Sequence, residues 1–276
     1  MQPKVSVLIP VFNRAELIVR CVECALAQTH ANLEVIISDN CSTDDTWLVV
    51  NRLAAADSRI HLFRNETNLG PTRNWIRGLE HCAGEYVKIL WSDDWIEPNC
   101  IEELLRPMEE SSEVGLAFSA VLAHYADRDQ PLHYFPDRSS FSSTEYLRDS
   151  LLRGRVPVSP GCSLVRRELA RFRLPIGENP ELNRIAERFG AGPDLLMLME
   201  AAAESKRVAH IPKFLTHFGA GQSSITLSHP REVQEGYRLT REYFADQIAD
   251  RKGLDGIKTR LNVRRWRHSL KRALHL

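Results

Sequence analysis

Along residues 5–123, short apolar runs alternate with stretches whose apolar side chains recur every three or four positions. The first kind suits strands buried on both faces, and the second suits helices that bury one side. Val5 to Pro10 is β-branched and closed by proline, which predicts a buried strand. Ala15 to Ala27 predicts a helix with Leu17, Ile18, Cys21, Val22, Ala25 and Leu26 on one face. Leu33 to Ser38 reads as a second strand. Ser42, Thr43 and Asp44 then offer capping oxygens for a helix through Trp47 to Ala55. Ile60 to Arg64 is a third strand, and Pro71 to His81 a helix stopped by Ala83-Gly84. Glu85 to Trp91, Pro98 to Glu110 and Val114 to Ala123 continue the series as strand, helix and strand. Strand and helix in alternation predict an α/β fold: an open, doubly wound, mostly parallel sheet with flanking helices. Ligands of such sheets bind in the crevice beyond the carboxyl ends of the strands.

From about residue 125 to 195 the pattern loosens. Residues 131–155 mix aromatics, proline and serine and read as a loop-rich cover with one short helix, Thr144 to Leu152. Gly192-Pro193-Asp194 opens a clear helix through Ala203, and Val208 to Leu215 is a last strand. Gly219 to Ser228 reads as a Gly/Ser-rich loop of the kind that closes over a site. Helical patterns over Glu232 to Asp250 and Leu254 to Leu274 finish the chain. The expected organisation is one domain over 1–228, its halves 1–123 and 124–228, followed by a helical C-terminal extension over 229–276.

Composition changes this picture little. Lys+Arg and Asp+Glu both number 36, so no overall field argues for a nucleic-acid partner. The last twenty residues depart from that balance. From Ile257 onward there is no acid, while Lys258, Arg260, Arg264, Arg265, Arg267, Lys271 and Arg272 are basic. Ile257, Leu261, Trp266, Leu270 and Leu274 share one face of that predicted helix, which suits either an anionic lipid surface or packing on its own domain. The expected location is cytoplasmic, peripheral on the inner face of the membrane: no apolar stretch approaches a bilayer span and no secretory leader is recognised. Cys21 and Cys24 form a CxxC with no second pair, and all six cysteines read as reduced thiols rather than a zinc site.

The chemistry-bearing residues fall at strand ends. Ser92-Asp93-Asp94 follows the fourth strand of the series, and two adjacent carboxylates there suit Mg²⁺ or Mn²⁺ or, alternatively, the cap of the next helix. Asp39-Asn40 ends the second strand, where a carboxylate either accepts hydrogen bonds from a nucleoside or forms an Asx turn.

The stretch Val5-Ser-Val-Leu-Ile-Pro-Val-Phe-Asn13 resembles the opening strand of the family 2 glycosyltransferases. Ser38 to Thr46 resembles their Asp-rich turn. Asn68 to Asn74, Ala83-Gly-Glu-Tyr86, Ser92-Asp-Asp94 and Pro98 continue the match in order and spacing to about residue 120. The resemblance implies a GT-A type fold, a nucleoside diphosphate sugar as donor (UDP the commoner choice) and Mn²⁺ or Mg²⁺. It further implies transfer of a hexosyl or N-acetylhexosaminyl group, with inversion, to a glycan or lipid-linked glycan in cell-surface polysaccharide synthesis. Carried over by position, Pro10, Val11, Phe12, Asn13, Asp39 and Asp93 are expected to hold the nucleotide, with Arg73 either a further contact or a surface ion pair. Asp94 and Asp93 are the expected metal ligands. Many relatives have an acid two positions before Asp93, where this chain has Trp91.

Gly192-Pro193-Asp194 resembles the family's later acidic motif, with Pro193 where relatives usually carry Glu. Asp194 is therefore the expected catalytic base, or else a carboxylate that merely favours the helix start. His217 is a weaker metal candidate, because the family's histidine slot aligns nearer Gly221. Two other activities and an inactive binding module compete with this reading. A sugar nucleotidyltransferase would need a Gly-rich phosphate loop where Pro10 to Arg14 has no glycine, and a dehydrogenase would need GxGxxG. A catalytically inactive nucleotide-sugar-binding module is favoured by Trp91 and Pro193.

Overall fold

The computed structural model describes residues 2–174, 179–219, 221, 224–247, 254, 256, 257 and 261. β1 (Val5–Val11) and β2 (Leu33–Asp39) are buried at every position, as strands covered on both faces must be. Their side chains alternate between two cores. Val5, Val7, Ile9 and Val11 pack with α1 (Ile18–Leu26), α2 (Thr46–Ala56) and α4 (Cys100–Glu110). Leu8 points to the other face, which carries α3 (Pro71–Glu80), α5 (Ser143–Leu152), α6 (Pro180–Phe189), α7 (Pro193–Glu204) and α9 (Pro230–Gln247). The result is three layers, helices on sheet on helices.

With β3 (Ile60–Arg64), β4 (Tyr86–Ile89), β6 (Val114–His124) and β10 (Arg207–Gly219), the strand order is β3-β2-β1-β4-β9-β6-β10-β5. β9 (Ser163–Arg166) enters antiparallel between β4 and β6, and β5 (Trp95–Ile96) pairs antiparallel with β10. β7 (Asp129–Leu132) and β8 (Ser140–Ser142) add antiparallel edges. The pairs of the N-terminal half, β1 with β2 and β4 and β2 with β3, are parallel.

The open, mostly parallel sheet with flanking helices is the fold expected from the sequence, and α1, α2, α3 and α4 lie where the periodicity put them. The loosely patterned stretch from about 125 to 195 proves more structured than its composition suggests, for it holds β7, β8, β9 and α6. α8 (Ile225–Ser228) likewise occupies the end of the expected Gly/Ser-rich loop. All six cysteines are unpaired thiols. No helix among the described residues is long and apolar enough to cross a membrane. Of the basic tail, Ile257 is buried in the core beside Leu254, and Trp266, Leu270 and Leu274 lie outside the described residues.

Candidate active site

A cavity of about 1010 Å³ opens beyond the carboxyl ends of β1, β4 and β10. Its wall is assembled from Pro10, Val11 and Phe12 after β1, Asn68 to Pro71 leading into α3, and Trp91 to Asp94 after β4. Phe218 and Gly219 of β10, Asp194 at the start of α7, and Val233 and Tyr237 of α9 complete it. Phe12 is 37% exposed, an unusual state for a ring at the end of a buried strand.

Asp93 and Asp94 sit side by side in this wall. Burial raises the pKa of Asp94 well above the usual carboxylate range, and the neighbouring Asp93 charge adds to the effect. Asp93 is raised too, chiefly by burial, with Arg14 and Arg20 pulling the other way. Asp94 Oδ1 accepts the Gly219 N–H at 2.9 Å, which ties β4's end to β10's. Neither aspartate caps a helix, since the next one, α4, starts only at Cys100. Two hard oxygen donors whose like charges repel suit a hard divalent cation. Among the described residues no third His, Cys, Asp or Glu joins them.

Asp194 lies in the first turn of α7 and is 5% exposed. Its Oδ1 accepts two backbone N–H groups, from Gly192 at 3.0 Å and Leu195 at 2.9 Å. Its Oδ2 accepts the Tyr237 hydroxyl at 2.8 Å. Burial pushes its pKa up to about 6, against the opposing pull of these hydrogen bonds. Part of the helix-start reading is therefore realised by one oxygen, while the residue still faces the cavity.

Several expected residues stand elsewhere. Asp39 is fully buried and absent from the wall; its carboxylate accepts the Ser42 hydroxyl and the Ser42 N–H and pairs with Arg64 Nε at 3.1 Å. Asn13 takes a left-handed φ of 53° and its Oδ1 accepts the Thr43 N–H at 2.8 Å, stapling the turn after β1 to the loop after β2. Arg73 pairs with Glu187 of α6 at 2.8 Å on the surface. His217 is not brought to the aspartates. Its ring nitrogens lie 2.9 Å from His124 Nε2 and 2.8 Å from Glu97 Oε1, and its ring stacks on Trp95. Trp91 donates its indole N–H to Ser159 Oγ at 2.7 Å and tilts against Trp75, so this position braces the cavity floor.

The profile of glycosyl transferase family 2 matches residues 6–173, more than half of the chain. The chain belongs to that family. A β-1,3-glucosyltransferase of Campylobacter jejuni acting on GalNAc(5)-diNAcBac-PP-undecaprenol is 37% identical over 109 residues, covering 39% of this chain and 35% of that protein. The chain spans less than two thirds of the length of the curated relatives it matches. Among solved structures, Staphylococcus aureus TarS 1–349 in complex with UDP-GlcNAc is 20% identical with a TM-score of 0.69, over 90% of this chain and 67% of that one. The mannosyltransferase PcManGT of Pyrobaculum calidifontis, in complex with GDP-Man and Mn²⁺, is 18% identical with a TM-score of 0.59. It covers 94% of this chain and 69% of its own. These neighbours share the GT-A type fold with the family 2 chain described here.

Position-by-position reading missed Asn40, Arg184, Arg188 and Tyr237, all of which line the cavity. α6 had a readable start in Asn179-Pro180-Glu181, where Asn179 Oδ1 accepts the Glu181 and Leu182 N–H groups, and a readable stop in Gly190 at φ 72°. Asn40 lay beside a noted aspartate; its amide bonds Asn65, Asn68 and the Leu69 N–H and so shapes the 65–70 loop.

Proposed function

We propose that this protein moves a hexosyl or N-acetylhexosaminyl group from a nucleoside diphosphate sugar, UDP before other bases, to an acceptor hydroxyl with inversion. The observation that carries the reading is that Asp93, Asp94 and Asp194 line one cavity beyond the strand ends of a family 2 chain. Asp94 and Asp93 would hold Mg²⁺ or Mn²⁺, which when bound supplies a Lewis acid for the departing diphosphate. Binding of UDP-GlcNAc by TarS and of GDP-Man with Mn²⁺ by PcManGT supports such a donor and such an ion. Pro10, Val11 and Phe12 form the side of the cavity suited to the nucleoside, with the exposed Phe12 ring a face for the base. Asp39 acts behind them, holding the Ser42 loop, and Asn13 locks the two strand ends together.

Asp194 serves as general base. One oxygen is anchored by backbone, and the other accepts the Tyr237 hydroxyl with acceptor capacity to spare, on a residue that lines the cavity. With its pKa pushed up to about 6, it is ionised at neutral pH yet basic enough to draw a proton from an attacking hydroxyl. One displacement, with no covalent sugar on the enzyme, inverts the anomeric centre. A glycan or lipid-linked glycan is the acceptor class, and the C. jejuni relative that acts on a polyprenyl-linked glycan supports it. The test is incubation with a panel of UDP- and GDP-sugars and Mn²⁺, following the first-formed free sugar by proton NMR. Release of the inverted anomer, lost in Asp94→Ala, is expected; release of the retained anomer would contradict single displacement.

A further inference from the structure

α9 begins at Pro230, beyond the segment that the family profile matches, yet it supplies part of the cavity wall. It reaches the wall because its seam against the 190–192 turn is very close. A Cβ on Gly236 would sit 2.8 Å from the Ala191 carbonyl oxygen, and one on Gly192 2.6 Å from Thr240 Oγ1. Gly192 also has φ of +117°, a conformation that other residues rarely adopt. Gly236 and Thr240 are four positions apart and share a helix face, and Tyr237, next to Gly236, is thereby carried onto Asp194.

Asp194's two oxygens then have unlike surroundings. Oδ1 is fixed by the Gly192 and Leu195 N–H groups, whereas Oδ2, among the described residues, accepts the Tyr237 hydroxyl at 2.8 Å. Burial, followed by the Asp194 charge, raises the Tyr237 phenol well above its ordinary range, so it stays a donor throughout the working pH range. We propose that Tyr237 is a positioning residue for the transfer: its hydroxyl aims Asp194 Oδ2 at the acceptor and favours its ionised form. This rests on the reading of Asp194 as base.

Other charged groups surround the pair. Arg241, one turn further along α9, lowers the phenol's pKa, and Arg184, Glu187 and Arg188 of α6 share the cavity wall. A hydrogen bond to a charged oxygen stabilises the charged form, so deleting the hydroxyl alone raises Asp194's pKa. The acid limb of activity should then move to higher pH by about one pH unit. A tyrosine that only filled space would be replaced by Phe without moving that limb.

The experiment compares wild type, Tyr237→Phe and Asp194→Asn. Release of nucleoside diphosphate from the sugar-nucleotide panel, with Mn²⁺ and water as acceptor, is followed from pH 5 to 8. In parallel the Asp194 carboxyl is titrated by ¹³C NMR, its signal assigned by loss in Asp194→Asn. The expected result is near-abolished release in Asp194→Asn. Tyr237→Phe should shift both the acid limb and the ¹³C midpoint upward, with donor KM unchanged. Loss in Asp194→Asn with neither the limb nor the midpoint moved by Tyr237→Phe overturns the positioning role and leaves the base in place. Wild-type release by Asp194→Asn removes the base assignment, and the positioning role with it.

Discussion

Three carboxylates share the cavity, and burial pushes each of them toward its protonated form. The consequences differ with the roles proposed for the three groups. A base acts only when ionised, so transfer is expected to be full well above pH 6 and to fall about tenfold per pH unit below it as Asp194 takes up its proton. A pH–rate profile that stays flat down to pH 5 would remove Asp194 from the step. Asp194→Asn should bind donor as wild type does while transfer drops by at least about 10², read from steady-state rates beside calorimetric affinity. For Asp93 and Asp94 the same burial opposes metal uptake at low pH. Binding of Mn²⁺ should therefore release protons and tighten as pH rises, measurable by titration in buffers of different ionisation enthalpy.

The strands and helices that carry these residues differ in how far their sequences announce them. β1, β2 and β3 are continuous or alternating apolar runs with strong stops, so position and type were readable from local pattern. β5 has two residues and β9 four, too few for any periodicity, and their pairing with β10 and with β4 and β6 depends on strands far along the chain. Periodicity tells which face a residue takes; it does not tell which strand lies beside it. For the same reason Asp194 could be singled out only through the resemblance of Gly192-Pro193-Asp194 to a family motif, and Tyr237, forty-three positions on, stands in no such motif. The expected extension over 229–276 begins with α9, whose Val233, Gly236, Leu239, Thr240 and Phe244 are buried against α6 and α7. Gly236→Ala would drive a methyl into the Ala191 carbonyl and push this helix outward. Overpacking of this kind costs about 1–3 kcal/mol. Calorimetric melting should show a Tm lower by several degrees, with donor release weakened. An unchanged Tm would mean that the seam is loose.

Across the chain as a unit, charge is balanced except over the basic last twenty residues, of which 258–260 and 262–276 lie outside the described residues. Ile257 is buried and Leu261 packs against the same core, as the own-domain alternative expects, so we propose a lipid contact only for the residues beyond 261, where Arg264, Arg265, Arg267, Lys271 and Arg272 stand. Truncation after Leu261 should abolish sedimentation with phosphatidylglycerol vesicles and leave sugar-nucleotide hydrolysis unchanged; retained sedimentation would assign the contact elsewhere. The central claim is that the cavity beyond β1, β4 and β10 is a metal-assisted nucleotide-sugar site. Calorimetric titration of nucleoside diphosphates and their sugars, with and without Mn²⁺, on wild type and Asp94→Ala tests it most directly. Binding that needs Mn²⁺ and disappears in Asp94→Ala is the predicted result. A folded wild-type protein that binds no member of the panel, or binds equally well without metal and without Asp94, would contradict it.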